Sequence, residues 1–413
     1  MFLKVFKKFN KIETINFIVF ASCVVVYTIC ALGKAAFSSA NAAIVSEGLF
    51  TKDNLGLISA CFYLFYAVGQ IFGGRYVDKF SPSGLVGIGL AGALISCFIV
   101  GNSSNYAVIL SSWCFSGIIQ FAIWPACISV ISTRLDVNMR KKSLLFFSFT
   151  PAAGTLLSYL MASIILIKGN WHGIFNATGF LLIGSLVFWL ISSFKFLPKL
   201  ETEKVAEKVE NGKVPWKSIV AAGIVPILIG AFIKSALELG VKAWIPTMIM
   251  ETYTVSASFS VFLTIFLTFI NVFGVFVANF ATEKCKGNEV KAAGMLFLIS
   301  VPFAVGLLAM KSINIFFAVF LMAVFTTLMT ANTQIILIYI PIRFLKFGCV
   351  GTMSGLINAV AAFGTFVSTY VFGIIAENLG WTSTIISWIF LGLVACATYF
   401  ALSAKWRKFI SEE

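Results

Sequence analysis

Three charged residues stand four apart in 233-IKSALELGVKAW-244: Lys234, Glu238 and Lys242. On a helix, positions i, i+4 and i+8 fall near one face. Glu238 can therefore pair with either lysine, and the trio keeps a surplus of one positive charge. A fourth charge, Lys34, stands alone in 27-YTICALGKAAFSSANAAI-44. Desolvated ammonium groups are point-charge partners for phosphate or carboxylate. A carboxylate flanked by lysines can instead carry a proton, or serve as a fixed ion pair. This chemistry holds an anion and breaks no bond. His172 is the sole histidine, and the nine cysteines show no metal-ligand spacing. No catalytic residue, metal site or cofactor is expected. No Walker motif is present either.

The elements that carry these charges are apolar. The 413 residues are 60% hydrophobic and 11% charged, and the mean hydropathy is +0.99. The apolar residues come in runs of about 20 or more, the length that crosses a bilayer. Backbone groups in lipid must be satisfied within each segment, so an all-α membrane protein is expected. Twelve spans are read at about 15–46, 55–77, 84–103, 106–131, 143–167, 171–196, 216–250, 257–281, 291–310, 313–340, 349–376 and 381–404. A charge at the centre of a lipid-facing helix costs about 2.5–3.5 kcal/mol on insertion scales. The four charges must therefore face a polar cavity or another helix, although Lys34 and Lys242 could also snorkel to headgroups.

The net charge of +14 would suit a nucleic-acid binder, but its placement reports topology instead. With both termini on one side, 24 of the 30 Lys and Arg fall on that side and 3 on the other. The positive-inside rule then makes both termini cytoplasmic in a multi-pass cell-membrane protein. The basic start MFLKVFKKFNK reads as the lead into a retained first helix. No nucleic-acid partner is expected.

The polar run 199-KLETEKVAEKVENGKVPWK-217 divides the spans six and six. This gives an N-terminal bundle at 1–197, a cytoplasmic linker at 198–215 and a C-terminal bundle at 216–413. The halves echo each other: Asp78–Lys79 and Glu283–Lys284 are offset by 205 residues, and the tryptophans of 170-NWH and 380-GWT by 210. Shifting Lys34 by 205 lands beside Glu238. Two six-helix repeats with a polar site at their interface mark a secondary transporter. The four charges together hold +2, which attracts an anion.

The run 73-GGRYVDKFSPS-83 resembles the loop between helices two and three of the major facilitator superfamily, where an acid–base pair governs closure between halves. The serine–proline after it resembles the branch that exchanges glycerol phosphate or hexose phosphate for phosphate. The stretches 123-IWPAC-127, 240-GVKAWIPT-247 and 351-GTMSG-355 agree, and the resemblance runs in order over nearly the whole chain. It implies two pseudo-symmetric six-helix bundles, a monomer, and alternating access around a small anionic substrate, with phosphate or a proton as counter-substrate. That branch holds phosphate with an arginine on helix one, which falls at Lys34, and one on helix seven, which falls on Glu238. Its helix-five histidine falls near Thr150. A lysine loses the bidentate fork, an acid reverses the sign, and a threonine cannot shuttle a proton at neutral pH. Exchange of phosphate esters, proton-linked carriage of a carboxylate, and a transporter-like sensor docking through the linker all stay open.

The candidate substrate residues are Lys34, Lys234, Glu238, Lys242, Tyr66 and Thr150. Tyr27, Tyr63, Asn271, Asn332 and Asn358 are further polar groups that can line a cavity or bond between helices. Arg75, Asp78, Lys79, Arg140, Glu283 and Lys284 are the candidate gates, since such charges can bias a two-state rocking equilibrium. Pro125, Pro151 and Pro226 are expected to set kinks. His172, beside Trp171, is expected at the membrane interface.

Overall fold

Unpaired peptide groups in hydrocarbon cost several kcal/mol each, so a chain this apolar closes its hydrogen bonds within helices. The computed structural model describes residues 11–79, 81–200, 216–310, 314–344 and 349–411, and every regular element among them is helical. In the first half the crossings are α1 (Lys11–Ser46), α2 (Lys52–Lys79), α3 (Pro82–Gly101), α4 (Tyr106–Gln120, resuming as Ile123–Arg134), α5 (Val137–Phe147, resuming as Thr150–Ile165) and α6 (His172–Ile191). In the second they are α7 (Trp216–Ala222, Ile224–Ser235 and Val241–Tyr253), α8 (Ala257–Asn271 and Gly274–Lys284), α9 (Glu289–Leu307), α10 (Ile315–Gln334), α11 (Val350–Asn378) and α12 (Gly380–Ser411). Eleven are long and apolar enough to cross a membrane, and the 28-residue α2 completes the twelve. An even number of crossings puts the start of α1 and the end of α12 on one face, the termini end. The loops after α1, α3 and α5 lie at the far end.

Local chemistry sets the starts and breaks. Asn105, Ser256, Asn288 and Asn314 accept from the first backbone N–H groups of α4, α8, α9 and α10, which satisfies donors that no helical carbonyl can reach. Pro125, Pro151 and Pro226 each sit in the first turn of a resumed segment of α4, α5 and α7. There the missing N–H costs little. The linker read at 198–215 lies, from residue 201 onward, outside the described residues.

The two bundles are repeats in their packing. A Cβ on Gly154 of α5 would stand 2.3 Å from the Thr28 carbonyl of α1, and one on Gly364 of α11 2.3 Å from the Phe232 carbonyl of α7. The glycines are 210 residues apart and their targets 204. At the far end, the Trp171 indole donates to Glu47 at 2.9 Å and that of Trp381 to Glu251 at 2.7 Å. These pairs keep the same offsets of 210 and 204. The glycine-rich face of α3 is used in part: Gly89 and Gly92 press on Ile123 and Ile119, while Gly84 and Gly87 have open space.

The halves meet along a seam. Gly56 of α2 lies against the Thr369 carbonyl of α11, and Gly373 of α11 against the Lys52 carbonyl of α2. Any larger residue would separate these backbones. Polar contacts that join the halves cluster toward the far end. Lys52 Nζ is 2.9 Å from Glu251 and 3.3 Å from Glu377. Ser258 donates to the Ser163 carbonyl at 2.7 Å, and Asn41 to the Ala243 carbonyl at 3.2 Å.

Candidate functional site

On the termini side of this seam lies a cavity of about 410 Å³, lined by Tyr27, Lys34, Tyr63, Tyr66, Glu238, Lys242 and residues of α5, α8 and α10. Four of the six predicted substrate residues meet here. Its two charged walls are built differently.

Lys34 projects from α1 with its ammonium 4.4 Å from the Tyr66 ring centre and 5.2 Å from that of Tyr27. Tyr27 is held in turn against Trp124, whose ring stacks on Phe147 at 4.7 Å. Among the described residues, no carboxylate lies within ion-pair distance of Lys34. Cation–π contacts contribute about 0.5–2 kcal/mol, while a cation at membrane depth costs about 2.5–3.5. The rings supply no negative charge, so an anion placed there gains from the cation.

The opposite wall is closed on itself. The helix α7 is interrupted by a π turn over Ala236–Gly240, and Glu238 sits within it. Single π turns of this kind re-aim side chains at functional positions. The Glu238 Oε1 accepts from Lys242 Nζ and from Thr330 Oγ1, both at 3.1 Å. Its Oε2 accepts from Thr333 Oγ1 and lies 3.2 Å from Lys234 Nζ. Both oxygens are filled, close to the capacity of a carboxylate. Lys234 has a side chain 2% exposed and sits behind Glu238, away from the cavity. Lys242, at 24%, faces the cavity and also reaches Thr330. Asn271 lines the same side and accepts from Thr326 and Thr327 at 2.9 Å.

Several expectations land elsewhere. Thr150 is buried, donates to the Phe147 carbonyl at 2.6 Å and does not line the cavity. A hydroxyl at the start of a resumed segment finds its own backbone before it finds a ligand. Asn332 is fully buried, and Asn358 turns back on Ser354. Glu283 and Lys284 are exposed at the end of α8, and the Lys284 ammonium rests 5.5 Å from the Phe280 ring. Neither bridges the halves among the described residues. Arg140 donates to the Leu135 carbonyl at 2.8 Å, in the turn that leads into its own helix. The side chains of Arg75, Asp78 and Lys79 lie outside the described residues. His172 is at the far end, stacked on Trp171 at 3.7 Å.

Two charged clusters escaped the sequence reading. One is Lys52 with Glu251 and Glu377 at the far-end seam. The other is Glu289, 3% exposed, which accepts from Arg343 at 2.7 Å and from the Trp406 indole at 3.0 Å at the termini end of the second bundle. Acids next to the ends of apolar spans were their signal, and such residues pass as ordinary loop charges. A larger cavity, about 520 Å³, opens at the far end beside Glu47 and Glu251 with no cation in its lining, so it does not suit an anion.

The profile of the Major Facilitator Superfamily matches residues 23–369. The chain is 20% identical over 407 residues to a probable hexose phosphate transport protein of Chlamydia pneumoniae, covering 92% of this chain and 88% of that one. It is 23% identical over 221 residues to a voltage-gated purine nucleotide uniporter of Rattus norvegicus, covering 49% and 48%. In fold it is similar to a bacterial homolog of the human lysosomal transporter Spinster in an inward-facing, unoccupied conformation, with a TM-score of 0.80, 14% identity, and coverage of 96% of this chain and 98% of that one. With twelve crossings in two repeats around a shared polar cavity, the chain is a multi-pass membrane transporter and belongs to the Major Facilitator Superfamily.

Proposed function

We propose that the protein is a secondary transporter of a small organic anion bearing a phosphate group, of the sugar-phosphate or glycerol-phosphate kind, exchanged for phosphate by alternating access. The observation that carries this reading is Lys34: a cation inside the membrane, facing a cavity, with no carboxylate beside it among the described residues. Lys242 faces the same cavity from the other half, so an anion between them would contact both bundles at once. Binding energy that bridges two bodies favours the state in which they close on it. The hexose phosphate transport protein that matches over most of both chains supports the phosphate class. Glu238 is already bonded on both oxygens, which favours a fixed wall over a proton carrier and places phosphate exchange ahead of proton symport.

The positive-inside count supports cytoplasmic termini in the cell membrane. The cavity then faces inward with the outer seam closed. We read the carrier as monomeric, with a six-helix bundle on either side of the linker at 198–215.

The test is exchange in proteoliposomes preloaded with phosphate, with labelled phosphate outside. Saturable uptake that glucose 6-phosphate or glycerol 3-phosphate competes away, and that Lys34→Ala abolishes, is expected. Folded protein that exchanges no phosphate would overturn the phosphate reading. Uptake of a carboxylate under an imposed pH gradient would replace it with the proton-linked one.

A further inference from the structure

The cation on α7 and the seam between halves share one piece of backbone. Pro246 lies four residues after Lys242 inside α7 and has no N–H, so the Lys242 carbonyl lacks its usual helical donor. In membranes such freed carbonyls are taken up by neighbouring helices. Here the taker comes from the other half: the Tyr159 hydroxyl of α5 donates to the Lys242 carbonyl at 3.4 Å. The next carbonyl, of Ala243, accepts from Asn41 of α1 at 3.2 Å. Two helices of the first bundle thus hold consecutive carbonyls of α7, directly behind the residue whose ammonium faces the cavity. The Tyr159 contact is longer than an ordinary O–H···O bond, and the Asn41 contact stands at the upper end of the N–H···O range. Asn41 Oδ1 and the hydroxyl of Thr247, one turn beyond Ala243, are buried without partners among the described residues. A seam fixed for good would carry that cost needlessly, whereas a seam with a second arrangement has a use for spare groups.

We propose that Tyr159 and Asn41 are the residues that tie the occupancy of the cavity to closure of the seam, by clasping two consecutive carbonyls of α7: that of Lys242, which Pro246 has freed, and that of Ala243. When an anion pulls on the Lys242 side chain, the strain reaches the clasp through a single residue. This rests on the two-bundle rocking read above but not on which anion is carried. Tyr159 also lines the cavity, so its loss alone could act through the ligand. Pro246 does not line it. The variant Pro246→Ala supplies an N–H in the helix itself, which competes with Tyr159 for the same carbonyl.

Hydrogen exchange by mass spectrometry on the ligand-free, full-length protein in nanodiscs separates these roles. Tyr159→Phe, Asn41→Ala and Pro246→Ala are each expected to raise amide exchange in segments 41–51 and 155–166 by roughly two- to twelvefold, the worth of one hydrogen bond. Exchange in α9, remote from the seam, is expected to stay unchanged. Unchanged exchange at the seam in Pro246→Ala would overturn the proposal. So would a rise spread equally over α9, which would mean general loosening. The readout needs no substrate, so a failed phosphate assay leaves it standing, and its failure leaves the phosphate assay standing.

Discussion

At positions 204 residues apart, the first bundle holds Lys34 and the second holds Glu238. The same spacing pairs Glu47 with Glu251, and a spacing of 210 pairs Trp171 with Trp381 and Gly154 with Gly364. The scaffold pairs do the same work in both halves: close helix contact, and a tryptophan anchored on an acid. At the cavity the repeat is broken. One half presents a cation wrapped by tyrosines and short of a counter-charge. The other presents a cation tied to a carboxylate that is itself filled by Thr330, Thr333 and Lys234. Packing constrains both bundles alike, because each must bury the same surfaces. The cavity is a single object shared by two walls, and nothing requires those walls to be alike. We read the uncompensated wall as the one that binds and the compensated wall as the one that holds shape.

The sharpest way to break this comparison is to remove the charge that the second wall is organised around. Glu238→Ala leaves Lys234 buried without a partner, and breaking a buried pair in this way costs about 3–5 kcal/mol. The thermal midpoint of the purified protein is expected to fall clearly. The double variant Lys234→Met with Glu238→Gln is expected to recover most of it, since no buried charge is then stranded. Full stability in Glu238→Ala would mean that this wall is not rigid.

Lys34→Ala is expected to behave in the opposite sense. Losing a charged contact to a desolvated ligand costs about 2–5 kcal/mol, so exchange is expected to drop by about thirtyfold or more. The thermal midpoint is expected to hold or rise, because a poorly compensated cation has been removed. Lys34→Arg keeps the charge and is expected to retain part of the activity. A stability loss in Lys34→Ala that matched its activity loss would erase the contrast between the walls. Lys242→Ala falls between the two: its ammonium is shared with Glu238 and Thr330, so we expect a KM raised about tenfold with kcat less affected. A kcat loss with unchanged KM would confine Lys242 to closure and remove it from binding.

The helices and the two repeats were legible because lipid leaves a backbone few choices and because each crossing needs about 20 apolar residues in a row. Lys34, Glu238 and Lys242 stood out for the same reason: charge in such a run is costly unless a polar space receives it. The division of labour among them was not legible. Spacing allowed Glu238 to pair with either lysine, while the structure shows it near both and bonded to two threonines of α10 as well. Those threonines lie some ninety residues away in sequence and carry no charge to mark them. The repeat offset of 205 set Lys34 opposite position 239, and packing corrects this to 204 and Glu238. Thr150 was read by alignment with a helix-five histidine, and its own backbone captured it. Lys52 is one of the 3 basic residues on the side opposite the termini, and nothing in sequence joins position 52 to positions 251 and 377.

That overlooked lysine gives the smallest expected effect and tests the comparison from outside the cavity. Lys52 Nζ bridges Glu251 and Glu377, and its own backbone N–H donates to Glu377 at 3.1 Å. The acids are about a third exposed, 28% and 33%. Ion pairs this open contribute about 0–1 kcal/mol, so Lys52→Ala is expected to change the exchange rate by no more than about fivefold. If the seam is a weak latch and the cavity holds the specificity, the change belongs to the rate and leaves the competition between glucose 6-phosphate and phosphate unaltered. It is also expected to fade at high ionic strength, where exposed pairs are screened. An effect as large as that of Lys34→Ala, or one that salt did not diminish, would move the decisive asymmetry from the two walls of the cavity to the two ends of the molecule.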